Sequence, residues 1–378
     1  MKFFHLADLH IGKSVHDMPM LKEQRHVLLQ VLSLADEREV DAVILAGDLY
    51  DRAVPSAEAV ELFDDFLTGL AERNLPVLAI AGNHDSPERI AFGGRIFRDK
   101  KIYLEGTYQG KLPRVELWDD LGRVNVWLMP FLRPASVRPY APEKEIRTYE
   151  EAVRTVLSRE EINPSERNVL VAHQLVIGSG EPERSDSESI SVGGQESIPY
   201  TVFDQFDYVA LGHLHGPQAA GREAVHYGGS PLKYSFSEVR QNKGLTVAEL
   251  REKGNLHLTH LPLTPLHEMR EIRGPIDALT SPEVVDGAPA EDYIRAVLTD
   301  DEELVDAVGR MRSVYPNLLR LDFENRRTKG GGILKQPSAE SRKPPEELFA
   351  EFYEWQQNLP LDGEKRELIR RLLEEECR

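Results

Sequence analysis

Short apolar runs alternate with stretches of helical spacing through the first half of the chain. Strand-like runs at residues 2–7, 40–46 and 76–81 are followed by helical patterns at 20–38, 56–73 and 87–97. Buried strands that alternate with helices predict the βαβ rhythm of a parallel sheet. Two alternating strands come next, at 112–118 and 124–129, then an acidic helix near 149–161 and an apolar strand at 168–172. Beyond residue 215 the pattern becomes antiparallel, through 224–227, 244–250 and 256–261. The expectation is an α/β fold, a two-sheet β-sandwich flanked by helices.

The pattern changes again near residues 262–268. Strands at 269–273, 293–298 and 318–323, with a helix at 301–315 before the last, make a small β-β-α-β unit that can cap the larger one. The expected organisation is a main domain at 1–265, a small α/β capping domain at 266–325, a Gly-, Lys- and Pro-rich linker at 326–345, and C-terminal helices within 346–378. Those helices, at 346–358 and 363–376, carry two apolar stripes, Leu348/Phe349/Phe352/Trp355 and Leu368/Ile369/Leu372/Leu373. A tethered hairpin buries two such stripes poorly by itself, so a partner groove is expected to take them. A polar stretch at 178–188 is too hydrophilic to bury and reads as a surface loop, placed by its neighbours near the chemistry described next.

Composition narrows the class. The chain has 378 residues, 40% apolar and 29% charged, as an ordinary globular protein does. Its single cysteine, Cys377, cannot form an internal disulfide, which predicts a reducing, cytoplasmic setting. No apolar run reaches the ~18 residues of a membrane helix. With 64 acidic and 46 basic residues the formal charge is −18, which disfavours a polyanion over most of the surface. Bound divalent cations reverse the local sign where a phosphate would sit. Weak binding to DNA by this chain alone is therefore expected, with a basic partner supplying the rest.

Five segments concentrate metal-binding residue types: Asp8-Leu9-His10, Gly47-Asp48-Leu49-Tyr50-Asp51-Arg52, Gly82-Asn83-His84-Asp85, His173, and Gly212-His213-Leu214-His215. Each directly follows an apolar run, so all fall at the C-terminal ends of strands, the edge at which open α/β sheets bind ligands. One ion would take Asp8, His10 and His215, a second Asn83, His173 and His213, with Asp48 bridging. Oxygen and imidazole donors without thiolate suit Mn, Fe or Zn and leave Mg open. Two such ions ~3.5–4 Å apart activate water and clamp the attacking and leaving oxygens of a phosphoryl displacement, so phosphoester hydrolysis is the expected reaction. His84, beside the ligand Asn83, is free to act as general acid, and Asp51 is placed to orient it. His5, His16, His26, His226, His257, His260 and His267 lie in no such constellation and read as structural.

These five motifs resemble those of the calcineurin-like metallophosphoesterase superfamily, across the first two thirds of the chain. The resemblance implies the two-sheet fold, the ligand set above, a pairing of Asp51 with His84, and a phosphate contact for Arg52. Residues 9–14, 24–28, 212–218 and 229–238 are further similar to the nuclease subunits of bacterial DNA-repair complexes. That similarity implies a nuclease with two Mn ions, acting as double-strand exonuclease and single-strand endonuclease on DNA ends and hairpins. It also implies a homodimer joined to a coiled-coil ABC-type ATPase. Eukaryotic and archaeal relatives have histidine where this chain has Asp51, which fits a bacterial branch. Because the motifs do not encode the substrate, a small-molecule phosphodiesterase or protein phosphatase shares every ligand, and a non-catalytic scaffold is the third alternative.

Overall fold

The computed structural model describes residues 1–178, 180, 182–188, 196–302, 304–324, 346–350, 353 and 361–376. The chain divides into two compact units, Met1–Leu266 and His267–Arg378. The first is built on two six-stranded sheets. Its strands are β1 (Lys2–Leu6), β2 (Ala42–Ala46), β3 (Val77–Ile80), β4 (Ile102–Glu105), β5 (Arg114–Asp119) and β6 (Gly122–Met129). They continue with β7 (Arg167–His173), β8 (Tyr208–Gly212), β9 (Gln218–Ala220), β10 (Arg222–Tyr227), β11 (Gly244–Leu250) and β12 (Leu256–Pro262). One sheet runs β12-β11-β1-β2-β3-β4 and the other β9-β10-β8-β7-β6-β5.

Both sheets have parallel centres, with one antiparallel edge in the first and two in the second. Strands β1 to β4 pair in parallel, and β11 and β12 close that sheet antiparallel. Strands β6, β7 and β8 are parallel in the other. Alternation along β7 explains why its sequence reads as continuously apolar. Val169 and Val171 join the core shared with Phe3, Ile44, Leu78, Val126 and Leu128, which lies between the sheets. Leu170 and Ala172 face the opposite way, into a second core with Val153 and Val156 of α3 (Tyr149–Leu157). Burial on both faces is the usual condition of parallel strands. Helices α1 (Leu21–Arg38) and α2 (Ala57–Glu72) connect the first strands and pack on each other, so closely at Gly69 that a Cβ there would lie 2.7 Å from Leu32. The Ser56 hydroxyl caps α2, and Thr148 with Glu151 forms a capping box on α3.

Four expectations need correction. The pattern at 87–97 is two four-residue helices, Pro87–Ile90 and Gly94–Phe97, because Gly93 adopts a left-handed φ of 73° and interrupts the turn. Strand β10 is antiparallel only to β9 and lies parallel to β8. Strand β4, at a sheet edge, is short and half polar and gave no clear sequence signal. In the second unit, β13 (Met269–Gly274), β14 (Tyr293–Leu298) and β15 (Leu318–Phe323) are all parallel, so the link from β13 to β14 must cross over. Short helices Ile276–Leu279 and Pro282–Val285 occupy that link, and the helix expected at 301–315 is confined to Ala307–Arg312, capped by Asp306. That unit has its own core around Ile294, Ala296, Leu298, Met311 and Tyr315.

The linker at 326–345 lies outside the described residues, as do Phe352, Trp355 and the side chain of Leu373. Helix Gly363–Glu376 is present, with Leu368 and Leu372 exposed, and Leu348 and Phe349 are exposed in the preceding segment. No described helix is long and apolar enough to cross a membrane.

Candidate metal centre

The five motif segments meet at one edge of the sandwich because they follow β1, β2, β3, β7 and β8. Beyond the strand ends the chain continues in pairs. The N–H groups of Asp8, His10 and Ile11 donate to the carbonyls of Gly47, Asp48 and Leu49 at 3.1, 2.9 and 3.0 Å. Asp85, which sequence reading left without a role, ties the next loop to these. Its buried carboxylate accepts from the N–H groups of Leu49, Tyr50 and Gly82 at 3.1, 2.9 and 2.9 Å. The backbone at the motif residues is strained, with Asp8, His10, Asp48 and His213 at φ of 52°, 44°, 49° and 108°. Such conformations cost of order 1–3 kcal/mol each and persist where the surroundings enforce them, commonly at functional sites.

Asp8, His10, Asp48, His173, His213 and His215 are all buried. Atoms of Asp8, His10 and His215 lie within 4.8 Å of one another, as do those of Asp8, Asp48 and His173. His10 Nε2 is 3.1 Å from His215 Nε2 and 3.7 Å from an Asp48 carboxylate oxygen. On the other side of Asp48, His173 Nε2 is 3.5 Å from the same oxygen and 3.0 Å from Asn83 Oδ1. His213 Nδ1 is also 3.0 Å from Asn83 Oδ1. His173 commits its other nitrogen to the Ala46 carbonyl at 2.8 Å. Nε2 is then the ring atom left to ligate once its proton is lost, and it points at the Asn83 oxygen. Buried carboxylate, amide and imidazole donors that converge on both sides of Asp48 fit divalent cations, and the buried His10 Nδ1 and His213 Nε2, which make no hydrogen bond, are in keeping with a site completed by further atoms.

Close approach leaves no room for side chains at the motif glycines Gly47, Gly82 and Gly212. A Cβ on Gly82 would fall 2.1 Å from the Asp48 carboxylate, and one on Gly47, at φ 86°, would fall 2.4 Å from His173 Nδ1. Electrostatics prepares the ligands. Burial keeps His10, His213 (pKa about 3) and His215 neutral, the form that ligates. His173 differs: burial opposes its charge, but the carboxylates of Asp48 and Asp8 prevail and raise its pKa to about 9.

His84 and Asp51 come together, though by the backbone. His84 Nδ1 is 3.0 Å from the Asp51 carbonyl, while the Asp51 carboxylate takes the Lys13 ammonium at 2.7 Å. The His84 ring stands edge-on to His10, centroids 4.9 Å apart, and the main-chain N–H of His84 donates to the Asp48 carboxylate at 2.9 Å. Arg52 is exposed at the rim with Nε 3.6 Å from Asp51. Sequence reading missed Phe131, stacked on His213 with centroids 6.5 Å apart, and Arg133 over the Phe131 ring. Both follow the C-terminal end of β6, the signal that marked the other segments. It also missed Ser187 and Glu238, which lie behind His215.

Two buried clusters sharing a carboxylate, at the C-terminal edge of a two-sheet α/β sandwich, define a dinuclear phosphoesterase centre. Residues 1–217 match the calcineurin-like phosphoesterase family, and residues 265–357 match the family described as type 5 capsule protein repressor C-terminal domain. The SbcD subunit of the nuclease SbcCD from Staphylococcus epidermidis is 33% identical over 325 residues, 85% of either chain. Its counterpart from Staphylococcus saprophyticus is 31% identical over 325 residues, 85% of this chain and 84% of its own. The chain belongs to the calcineurin-like phosphoesterases, within the family of SbcD nuclease subunits. A solved dimetal phosphatase from Danio rerio aligns with 69% of this chain and 96% of its own at a TM-score of 0.40 and 12% identity.

The raised pKa of His173 has a measurable consequence. Below about pH 9 the ring carries a proton that a metal ion must displace, so affinity for Mn should rise with pH up to that value. Titration calorimetry at pH 7 in buffers of different ionisation enthalpy should report release of at least about one proton per chain. Binding without proton release would contradict the assignment of His173 as a ligand.

Proposed function

We propose that this chain is a metal-dependent DNA nuclease that processes DNA ends and hairpins in repair, as double-strand exonuclease and single-strand endonuclease. The observation that carries the proposal is the conjunction of the buried two-cluster centre with 31–33% identity, over 85% of the chain, to nuclease subunits. Asp8, His10 and His215 would hold one ion and Asn83, His173 and His213 the other, with Asp48 shared between them. We take the ions to be Mn, with Mg tolerated by the same oxygen and imidazole donors. When bound, the pair supplies Lewis acidity that activates water and neutralises charge on the scissile phosphate.

The remaining work falls to side chains. His84 donates its Nδ1–H to the Asp51 carbonyl, so only the ring protonated on both nitrogens has a proton at Nε2 to give, and in that form it supplies the leaving oxygen. Asp48 fixes the His84 main chain, which couples acid placement to the bridging ligand. Arg52 at the rim and Lys13, which both approach the Asp51 carboxylate, together with Arg133 over the Phe131 ring beside His213, give a chain of net charge −18 cationic groups around the centre for the backbone phosphates.

Partners follow from exposed apolar surface. Val60, Phe92 and Ile96 are 46%, 82% and 75% exposed, which supports a homodimer formed through this face, whereas Leu62, Phe63 and Phe66 pack inward. The exposed Leu348, Leu368 and Leu372 support docking of the C-terminal helices on an SbcC-type coiled-coil ABC ATPase. Cytoplasmic placement is part of the same reading.

Two experiments test it. Asp48→Ala should lose bound metal and cleavage together, whereas His84→Ala should keep both ions and lose roughly 10²- to 10⁴-fold in turnover on hairpin and blunt duplex DNA with Mn. Equal metal loss in both variants would remove His84 from the acid role, and an active Asp48→Ala would remove the centre. Ending the chain near residue 336 should leave metal binding and a sedimenting dimer intact while abolishing co-purification with the ATPase. Undiminished ATPase binding, or a monomer in the full chain at micromolar concentration, would overturn the partner assignments.

A further inference from the structure

Behind His215 runs a file of buried polar groups that metal ligation alone does not require. Nδ1 of His215 is 2.7 Å from the Ser187 hydroxyl and 3.4 Å from Oε1 of Glu238. The Ser187 hydroxyl donates to the same Glu238 oxygen. Glu238 is fully enclosed; its other oxygen accepts from the Lys243 ammonium at 2.7 Å and from the Tyr234 N–H at 3.1 Å. Lys243, also buried, donates to the His215 carbonyl and to the Ser230 hydroxyl, each at 2.8 Å. The main chain of His215 is held too, its N–H donating to Glu188 at 2.8 Å. Buried ion pairs contribute little net stability, since apolar side chains of equal volume often serve as well or better. The position of this pair against one ring nitrogen therefore needs another account.

Proton directions supply it. A carboxylate only accepts, so the Ser187 hydroxyl must spend its hydrogen on Glu238. What Ser187 turns toward His215 is then a lone pair, and Nδ1 must carry the hydrogen. Nε2 is left bare, on the side of the ring 3.1 Å from His10 Nε2, where the cluster with Asp8 lies. We propose that Glu238, acting through Ser187, is a positioning residue that fixes His215 as the Nδ1–H tautomer and so sets the affinity of the ion shared by Asp8, His10 and His215. The inference rests on the dinuclear reading above. It also gives residues 187 and 188, in the polar stretch, a function: they hold the side chain and the main chain of one ligand. Carboxylates that hydrogen-bond a metal-bound imidazole in this way typically raise metal affinity 10- to 100-fold.

The test is a Mn titration of the full chain, followed by calorimetry and by the paramagnetic signal of free Mn. The unaltered chain should bind two ions. Glu238→Ala should weaken one of them by about 10- to 100-fold and leave the other unchanged. Glu238→Gln, which keeps an oxygen to accept from Ser187, should recover much of the loss. Ser187→Ala, which removes one hydroxyl from a half-buried position and leaves the Glu238–Lys243 pair in place, should weaken the same ion to a smaller degree and decides the matter should Glu238→Ala fail to fold. A lowered melting temperature with both affinities unchanged, both affinities falling together, or an indifferent Ser187→Ala would overturn the proposal. An unaltered chain that binds no Mn would instead overturn the dinuclear reading itself.

Discussion

Burying the carboxylates of Asp8 and Asp48 is the constraint around which the first unit is organised. Charge in a dry interior is costly unless it is paired or coordinates a metal. Burial raises the Asp8 carboxyl well above its usual range, with His173 offering partial relief, while His173 and His10 overcome the same penalty at Asp48 and hold it low. In the protein alone, a proton on His173 does part of the work of a cation. Divalent ions would do all of it, and the site then has no need of a proton that ligation excludes.

Holding such a cluster requires rigid placement from many directions. Parallel strands buried on both faces bring their C-terminal ends to one edge, and the loops that leave them are laced by backbone hydrogen bonds before any ligand side chain is reached. Asp85 joins the loops after β2 and β3, and the Phe131 N–H joins the loop after β6 to the Ala81 carbonyl at 2.9 Å. Gly47 and Gly82 let the strands approach where a methyl group would displace His173 or Asp48. Left-handed backbone at four ligand residues is the conformational cost of that convergence.

Much of this was legible because two simple signals coincide. An apolar run followed at once by Asp, Asn or His marks a strand end and a ligand together, and five repetitions made both the sheet edge and the residues to be gathered there recognisable. What stayed hidden depends on contacts distant in sequence or on backbone geometry. Asp85 accepts from N–H groups 35 and 36 residues away, which no side-chain pattern announces. Asp51 reaches His84 through a carbonyl, an atom every residue has. Gly93 breaks a helical pattern whose apolar spacing is otherwise continuous, and the edge strand β4 is too short to show a period. Glu238 and Ser187 were invisible as partners because 51 residues separate them and only folding places both behind His215.

The central claim is that two divalent ions share Asp48 at this edge. It is tested most directly by anomalous diffraction at the manganese absorption edge from crystals grown with Mn. The account predicts two peaks ~3.5–4 Å apart, one beside Asp8, His10 and His215 and the other beside Asn83, His173 and His213, with the Asp48 carboxylate between them. A single peak, or peaks away from Asp48, would contradict it.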